Sequence, residues 1–161
     1  MNKIIIAILT FLLWIMPWFT PLHAELTRRT FDGPATWSAI AQCVEDGDAE
    51  TLAGMMRPWF EKNISDLSGR IERLLGNIRG DITGITIDPK DLTDYNNGIY
   101  SIGKVIVVNT ADHMYHVRVV YEVTNVQRRE EVGIARLQLT RRNATDTGYY
   151  ILDDIKAPGY K

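Results

Sequence analysis

The spacing of apolar residues changes once along this chain, at Gly80, and that change limits what it can fold into. Before it, apolar residues recur every three or four positions. Trp37, Ile40, Ala41 and Val44 make one stripe, and Phe60, Ile64, Leu67, Ile71, Leu74 and Ile78 make a longer seam. Such spacing gathers side chains on one face of an α-helix. After Gly80 the period is two. From His113 to Thr124 the odd positions are Tyr115, Val117, Val119, Tyr121 and Val123, and the even ones include His116, Arg118, Glu122 and Thr124. A strand built this way turns one face to a core and the other to water. Helices first and successive strands afterwards specify an α+β fold with an antiparallel sheet.

Punctuation residues set the expected boundaries. The first helix runs from Ala35 to Glu45, with Pro34 before it and Gly47 after it. Asp48 caps a second helix, which carries Leu52, Met55 and Met56 and stops near Arg57 because Pro58 removes a backbone donor. The seam predicts one long helix, Pro58 to Arg79, ended by Gly80, with Asp66 and Arg70 as an i, i+4 ion pair on its wet side. Strands are expected at Ile82 to Ile87, Ile99 to Val108, His113 to Thr124, Val132 to Thr140 and Tyr149 to Ile155. The stretches Lys90 to Gly98, Asn109 to Asp112, Gln127 to Glu131 and Asn143 to Gly148 read as turns and loops.

The first 24 residues read as an address rather than as part of the fold. Lys3 is their only charge, Ile4 to Met16 is an uncharged apolar run, Pro17 breaks it, and Leu22-His23-Ala24 ends on a small residue. This is the pattern of a secretory signal peptide cleaved after Ala24. The run falls short of the about 20 apolar residues a bilayer span needs, so no stable membrane anchor is expected after cleavage. The domain boundaries are then 1–24 for the leader and 25–161 for a single domain. Of 161 residues, 45% are hydrophobic, enough for one core. The lone Cys43 has no partner for an internal disulfide and reads as a small buried hydrophobe. Asn63-Ile64-Ser65 and Asn143-Ala144-Thr145 match the glycosylation triplet, a pattern common by chance.

Two or three helices followed by a curved antiparallel sheet is the element order of the nuclear transport factor-two-like superfamily, a cone-shaped α+β roll of cystatin-like form. The segment Ile40-Ala41-Gln42-Cys43-Val44-Glu45-Asp46-Gly47-Asp48-Ala49-Glu50-Thr51-Leu52 resembles that superfamily's opening, where one helix ends at Gly-Asp and the next begins at once. The stretches Ile64-Ser65-Asp66-Leu67, Ile71-Glu72-Arg73-Leu74-Leu75, Gly80-Asp81-Ile82 and Gly133-Ile134-Ala135-Arg136-Leu137 are similar to a group of small exported bacterial domains of unknown function. The resemblance covers about Ala35 to Ile155 and implies a fold more than an activity. In the superfamily's enzymes, such as ketosteroid isomerases and polyketide cyclases, an Asp, His or Tyr sits inside the cone.

Chemistry is sparse. There is no glycine-rich phosphate loop, no Gly-x-Ser-x-Gly and no His-Glu-x-x-His. His113 and His116 fall on opposite faces of one strand and make a poor metal pair, and His116 is expected in solvent with Arg118 and Glu122. The candidates for proton transfer are Asp153 and the neighbouring Asp154. Alternation puts Asp153 beside Ile151 and Ile155, where an apolar wall would raise its pKa. The simpler reading places both acids at a wet strand end. Tyr115 and Tyr121 are expected to face inward, as core or as pocket lining. Arg28-Arg29, Arg128-Arg129 and Arg141-Arg142 read as solvated surface or as a basic rim.

Eighteen basic against 20 acidic residues give no footprint for nucleic acid. No metal and no cofactor is expected. The first expectation is an exported, periplasmic, non-enzymatic binding module for a protein partner or small ligand, one version being an immunity or inhibitor protein. The alternatives are a small lyase, isomerase or hydrolase using Asp153 with Tyr115 or Tyr121, and a structural subunit of an envelope complex that forms a homodimer through its sheet.

Overall fold

A computed structural model describes residues 31–96, 98–125, 132–142 and 148–160. The leader, Arg28-Arg29, the Gln127 to Glu131 loop with Arg128-Arg129, and the triplet at Asn143 lie outside these. Among the described residues the fold is α+β, with four helices followed by a six-stranded antiparallel sheet.

Helix α1, Gly33–Asp46, starts where Asp32 accepts the Ala35 N–H at 3.0 Å and ends where Gly47 takes a left-handed φ of 68°. Asp48 opens α2, Ala49–Met55, its carboxylate accepting from the Thr51 N–H at 2.9 Å and the Thr51 hydroxyl at 2.6 Å. These capped ends fall within two residues of those the sequence predicts. The long helix does not form as one. It divides into α3, Pro58–Asn63, and α4, Leu67–Leu75. The cause is Asp66. Its carboxylate takes the Gly69 N–H at 3.0 Å and starts a new helix, while Ile64 is extended at φ −124°, ψ 110°. A capping aspartate competes with helix continuation in this way. The seam still does its work across the break, since Phe60, Leu67, Ile71 and Leu74 are all buried.

The strands are β1, Ile82–Ile87; β2, Leu92–Asn96; β3, Ile99–Thr110; β4, Met114–Asn125; β5, Gly133–Arg142; and β6, Tyr149–Lys156. β3 carries β1 along its second half and β2 along its first, and the path continues through β4 and β5 to β6. β2 lies in a stretch read from sequence as turn. Asn96 pairs with Ile99, and Gly98 sits at φ 81°. Lys104 pins the loop between β1 and β2, its ammonium donating to the carbonyls of Asp88 and Pro89 at 3.0 Å each.

The helices cover one face of the sheet. Ile40, Leu52 and Phe60 meet a floor of Ile106, Val117, Val119, Leu137 and Leu139, all fully buried, with buried Cys43 among them. Three successive ladders each slip by one residue, leaving Val123, Ala135 and Leu152 without a partner in β3, β4 and β5 respectively. Such bulges bend a strand and increase its twist.

The slips break the alternation late in β4. Glu122, expected in water, is fully buried. It stands opposite Gly133, which has φ 137°. A Cβ there would lie 2.8 Å from the Met55 carbonyl and 3.1 Å from the Arg57 nitrogen. The missing side chain lets the chain cross at Met56, which bridges Ile134 in parallel, while the Arg57 N–H donates to the Ile134 carbonyl at 3.0 Å. We expect Gly133→Ala to cost about 1–3 kcal/mol in urea denaturation. Gly54→Ala, where the added methyl meets nothing within 4 Å, is expected to be neutral or slightly stabilising; equal effects at the two sites would refute the crossing as the cause.

Candidate functional site

Asp153 points toward the helices, opposite Leu139, as Ile155 does opposite Leu137. There Arg70 of α4 grips it with two hydrogen bonds, one of 2.5 Å to Oδ2 and a second to Oδ1. Arg70 is therefore not the wet-side partner of Asp66 that its spacing predicts. The arginine's hydrogen bonds hold the Asp153 carboxyl below its ordinary value, the reverse of the shift an apolar wall would impose. Ile151 does not share this face either. The unpaired Leu152 turns it to the other side, opposite Thr140.

Tyr115 and Tyr121 point inward as predicted but meet other groups. Tyr115 is fully buried, and its hydroxyl accepts the Arg79 N–H at 3.0 Å. Tyr121 is half-buried against Phe31 and Trp37, with ring centroids 5.3 and 6.2 Å away, and burial pushes its phenol pKa up. The register sets the three apart: Tyr115 stands opposite Arg141, Tyr121 opposite Ile134, and Asp153 one strand further on. Asp154 faces the other side of the sheet. Arg136 binds it with both arms, at 2.9 and 2.8 Å, and Gln138 donates to it at 3.4 Å.

A third acid is buried outright. Glu122 accepts from the Arg57 guanidinium at 3.0 Å and from the Tyr160 hydroxyl. Burial first, and then the bond to Glu122, raise the Tyr160 pKa. Nothing in the sequence distance between residues 57, 122 and 160 announces this cluster.

The sheet face turned away from the helices carries a different arrangement. Arg118 stands between Val105 and Gln138, and His116 is paired with Thr140, which pairs onward to Ile151. With Tyr149 these residues line a cavity of about 310 Å³. The His116 ring lies 4.7 Å from that of Tyr149, tilted by 35°. His116 is thus half-covered rather than free in solvent. Burial, and then the charge of Arg142, lower its pKa. Tyr149 and Ile151 remain 48% and 64% exposed. Their role was hidden in the sequence, because regular alternation would put Ile151 on the core side. A second hollow, of about 400 Å³, opens between α2 and α4 beside Glu50, Met56, Glu61 and Leu67. Among the described residues no three of His, Cys, Asp and Glu converge as metal ligands, and no helix is long and apolar enough to cross a membrane.

Residues 39–143 match the family described as "Domain of unknown function (DUF5104)". The chain belongs to that family. No curated protein matches it. The family span runs from within α1 to the end of β5, so it contains His116, Arg118, Gln138 and Thr140, while Tyr149 and Ile151 lie beyond it on β6.

Asp153→Asn removes one half of a partly buried pair. We expect it to destabilise the fold by about 1–3 kcal/mol at neutral pH. The folded carboxyl has the lower pKa, so the pair's contribution is complete above the unfolded value near 3.8 and is lost as pH falls through the folded one. Urea midpoints of wild type and variant should therefore be far apart at about pH 7 and converge toward about pH 2. A gap that stayed constant with pH would refute the pairing.

Proposed function

We propose that this chain is an exported, periplasmic binding module with no catalytic activity of its own, which captures its ligand or protein partner on the sheet face turned away from the helices. The observation that carries the reading is the pairing of Tyr149 and Ile151, both substantially exposed, with a concave patch that also holds Arg118, His116 and Gln138. Binding sites combine apolar walls with a few polar groups in this way, and exposed apolar side chains beside a hollow mark contact surfaces. Asp153, Asp154 and Glu122 are all held by arginines, so the acids that would serve proton transfer are already engaged. The apolar run before Ala24 supports export. The helix-then-sheet order supports kinship with the nuclear transport factor-two-like rolls, among which an immunity or inhibitor role is one form of this reading.

Two measurements test it. On expression of the full chain in a Gram-negative host, the protein should appear in the periplasmic fraction with Glu25 as its first residue; retention in the cytosol would refute export. Ile151→Asp puts a charge into the patch at a site 64% exposed, where folding is unaffected. It is expected to abolish capture of any species that co-purifies with wild type. Unchanged capture would move the site elsewhere.

A further inference from the structure

We propose that the cavity on the open sheet face is a site for a small carboxylate carrying a flat apolar body, an inference that rests on the binding-module reading and specifies its ligand. Size is the first constraint. At about 310 Å³ the cavity is at the small end of ligand sites and takes a compact molecule rather than a peptide strand.

Charge is the second. Two guanidinium groups belong to this region: Arg118 in the lining, and Arg142, placed opposite Tyr149 at the cavity's edge. Both are exposed, and neither has a carboxylate partner among the described residues. The nearby acids are otherwise occupied or outnumbered. Asp154 is bound by Arg136 with both arms, and Glu122 by Arg57. Among the described residues, Asp88 is the acid whose charge raises the His116 pKa, against Arg142 and Arg118, which lower it. A planar carboxylate matches the fork of an arginine with two parallel hydrogen bonds, and Arg118 offers that fork.

Shape is the third. Val105 and Ile151 supply apolar wall, and the rings of His116 and Tyr149 supply flat surface, with the Thr140 hydroxyl and Gln138 amide between them. A neutral His116 stacks without demanding a counter-ion, so the negative charge of the ligand falls to the arginines.

The test uses the full chain and three probes: phenylacetate, its neutral isostere phenylacetamide, and acetate. Binding is read by NMR from the ring resonances of His116 and Tyr149. Phenylacetate should shift both saturably. Phenylacetamide and acetate should bind about tenfold or more weakly, the first lacking the charge and the second the apolar body. Arg118→Gln should weaken phenylacetate by a similar factor, while Arg73→Gln, on an exposed helix face, leaves it unchanged. Arg142→Gln provides a second variant should Arg118→Gln alter the spectrum of the free protein. Equal binding of acid and amide, indifference to both arginine variants, or no saturable shift with any probe would overturn the proposal. If the probes fail while Ile151→Asp still abolishes capture of a partner, the ligand class is wrong and the binding face stands. If both fail, the face itself is wrong.

Discussion

A carboxylate without access to water has to be matched inside the protein, and Glu122 is matched from two distant parts of the chain. Arg57 reaches it from the start of α3, and Tyr160 reaches it from four residues beyond β6. Both approaches need the start of β5 to be open. Gly133, directly opposite Glu122, leaves room for the backbone of residues 55–57 to cross. Ala135, unpaired in β4, gives its carbonyl to the Ala157 N–H at 2.9 Å and directs the chain toward Tyr160. The helical layer, the sheet and the carboxyl-terminal segment are thus joined at one charge. Taking an ion pair out of water costs several kcal/mol, and a well-packed apolar trio would be no weaker. What the pairing adds is a tie between distant parts: the placement of α3 and the course of residues 157–160 both meet Glu122.

The same kind of slip decides which acids face which neighbours. With Leu152 unpaired, the side chains of β6 change faces between Ile151 and Asp153. Asp153 and Ile155 go to the helices, and Ile151 joins Tyr149 on the open side. A strand with regular alternation would have kept Ile151 in the core beside Asp153 and left the open face without its most exposed aliphatic residue. One bulge therefore both supplies Arg70 with its partner and builds one wall of the cavity.

How far the sequence carried the fold depends on the range over which each signal acts. Helix caps act within three residues, and Gly47 and Asp48 behave as read, while the cap at Asp32 emerges only in the structure. The alternation of His113 to Val119 is equally local and equally faithful. Asp66 shows the limit: its spacing predicts a pair with Arg70 at i+4, whereas in the structure it caps α4 through the Gly69 N–H and Arg70 binds the distant Asp153. β2 falls in the stretch Lys90 to Gly98 that reads as turn, because its identity as a strand depends on the first half of β3 being free to receive it. Glu122 and Ile151 were misplaced because a bulge is set by the partner strand, and a period of two carries no mark of where the partner slips. Most of the architecture was legible, then, and the cavity was not, since Tyr149 and Ile151 join it only through such a slip.

The interior bears on where the proposed recognition would take place. Tyr115, Val117, Val119, Leu137 and Leu139 fill the helix-facing side of the sheet and are fully buried. The acids at its margin are hydrogen-bonded to arginines, Asp153 to Arg70, Asp154 to Arg136 and Glu122 to Arg57, and groups already engaged in this way are poorly placed to exchange protons. A sheet whose helix-facing side is filled in this way has committed that side to stability. What remains adjustable is the opposite face, where Arg118 and Tyr149 are exposed and stand outside the buried core. On that face the backbone is held by ladders on both sides of β4 and β5, so the main chain there would lose little further order on binding a ligand. A stiff sheet with a sparse, mixed surface is thus a better platform for selective capture than the closed interior it protects.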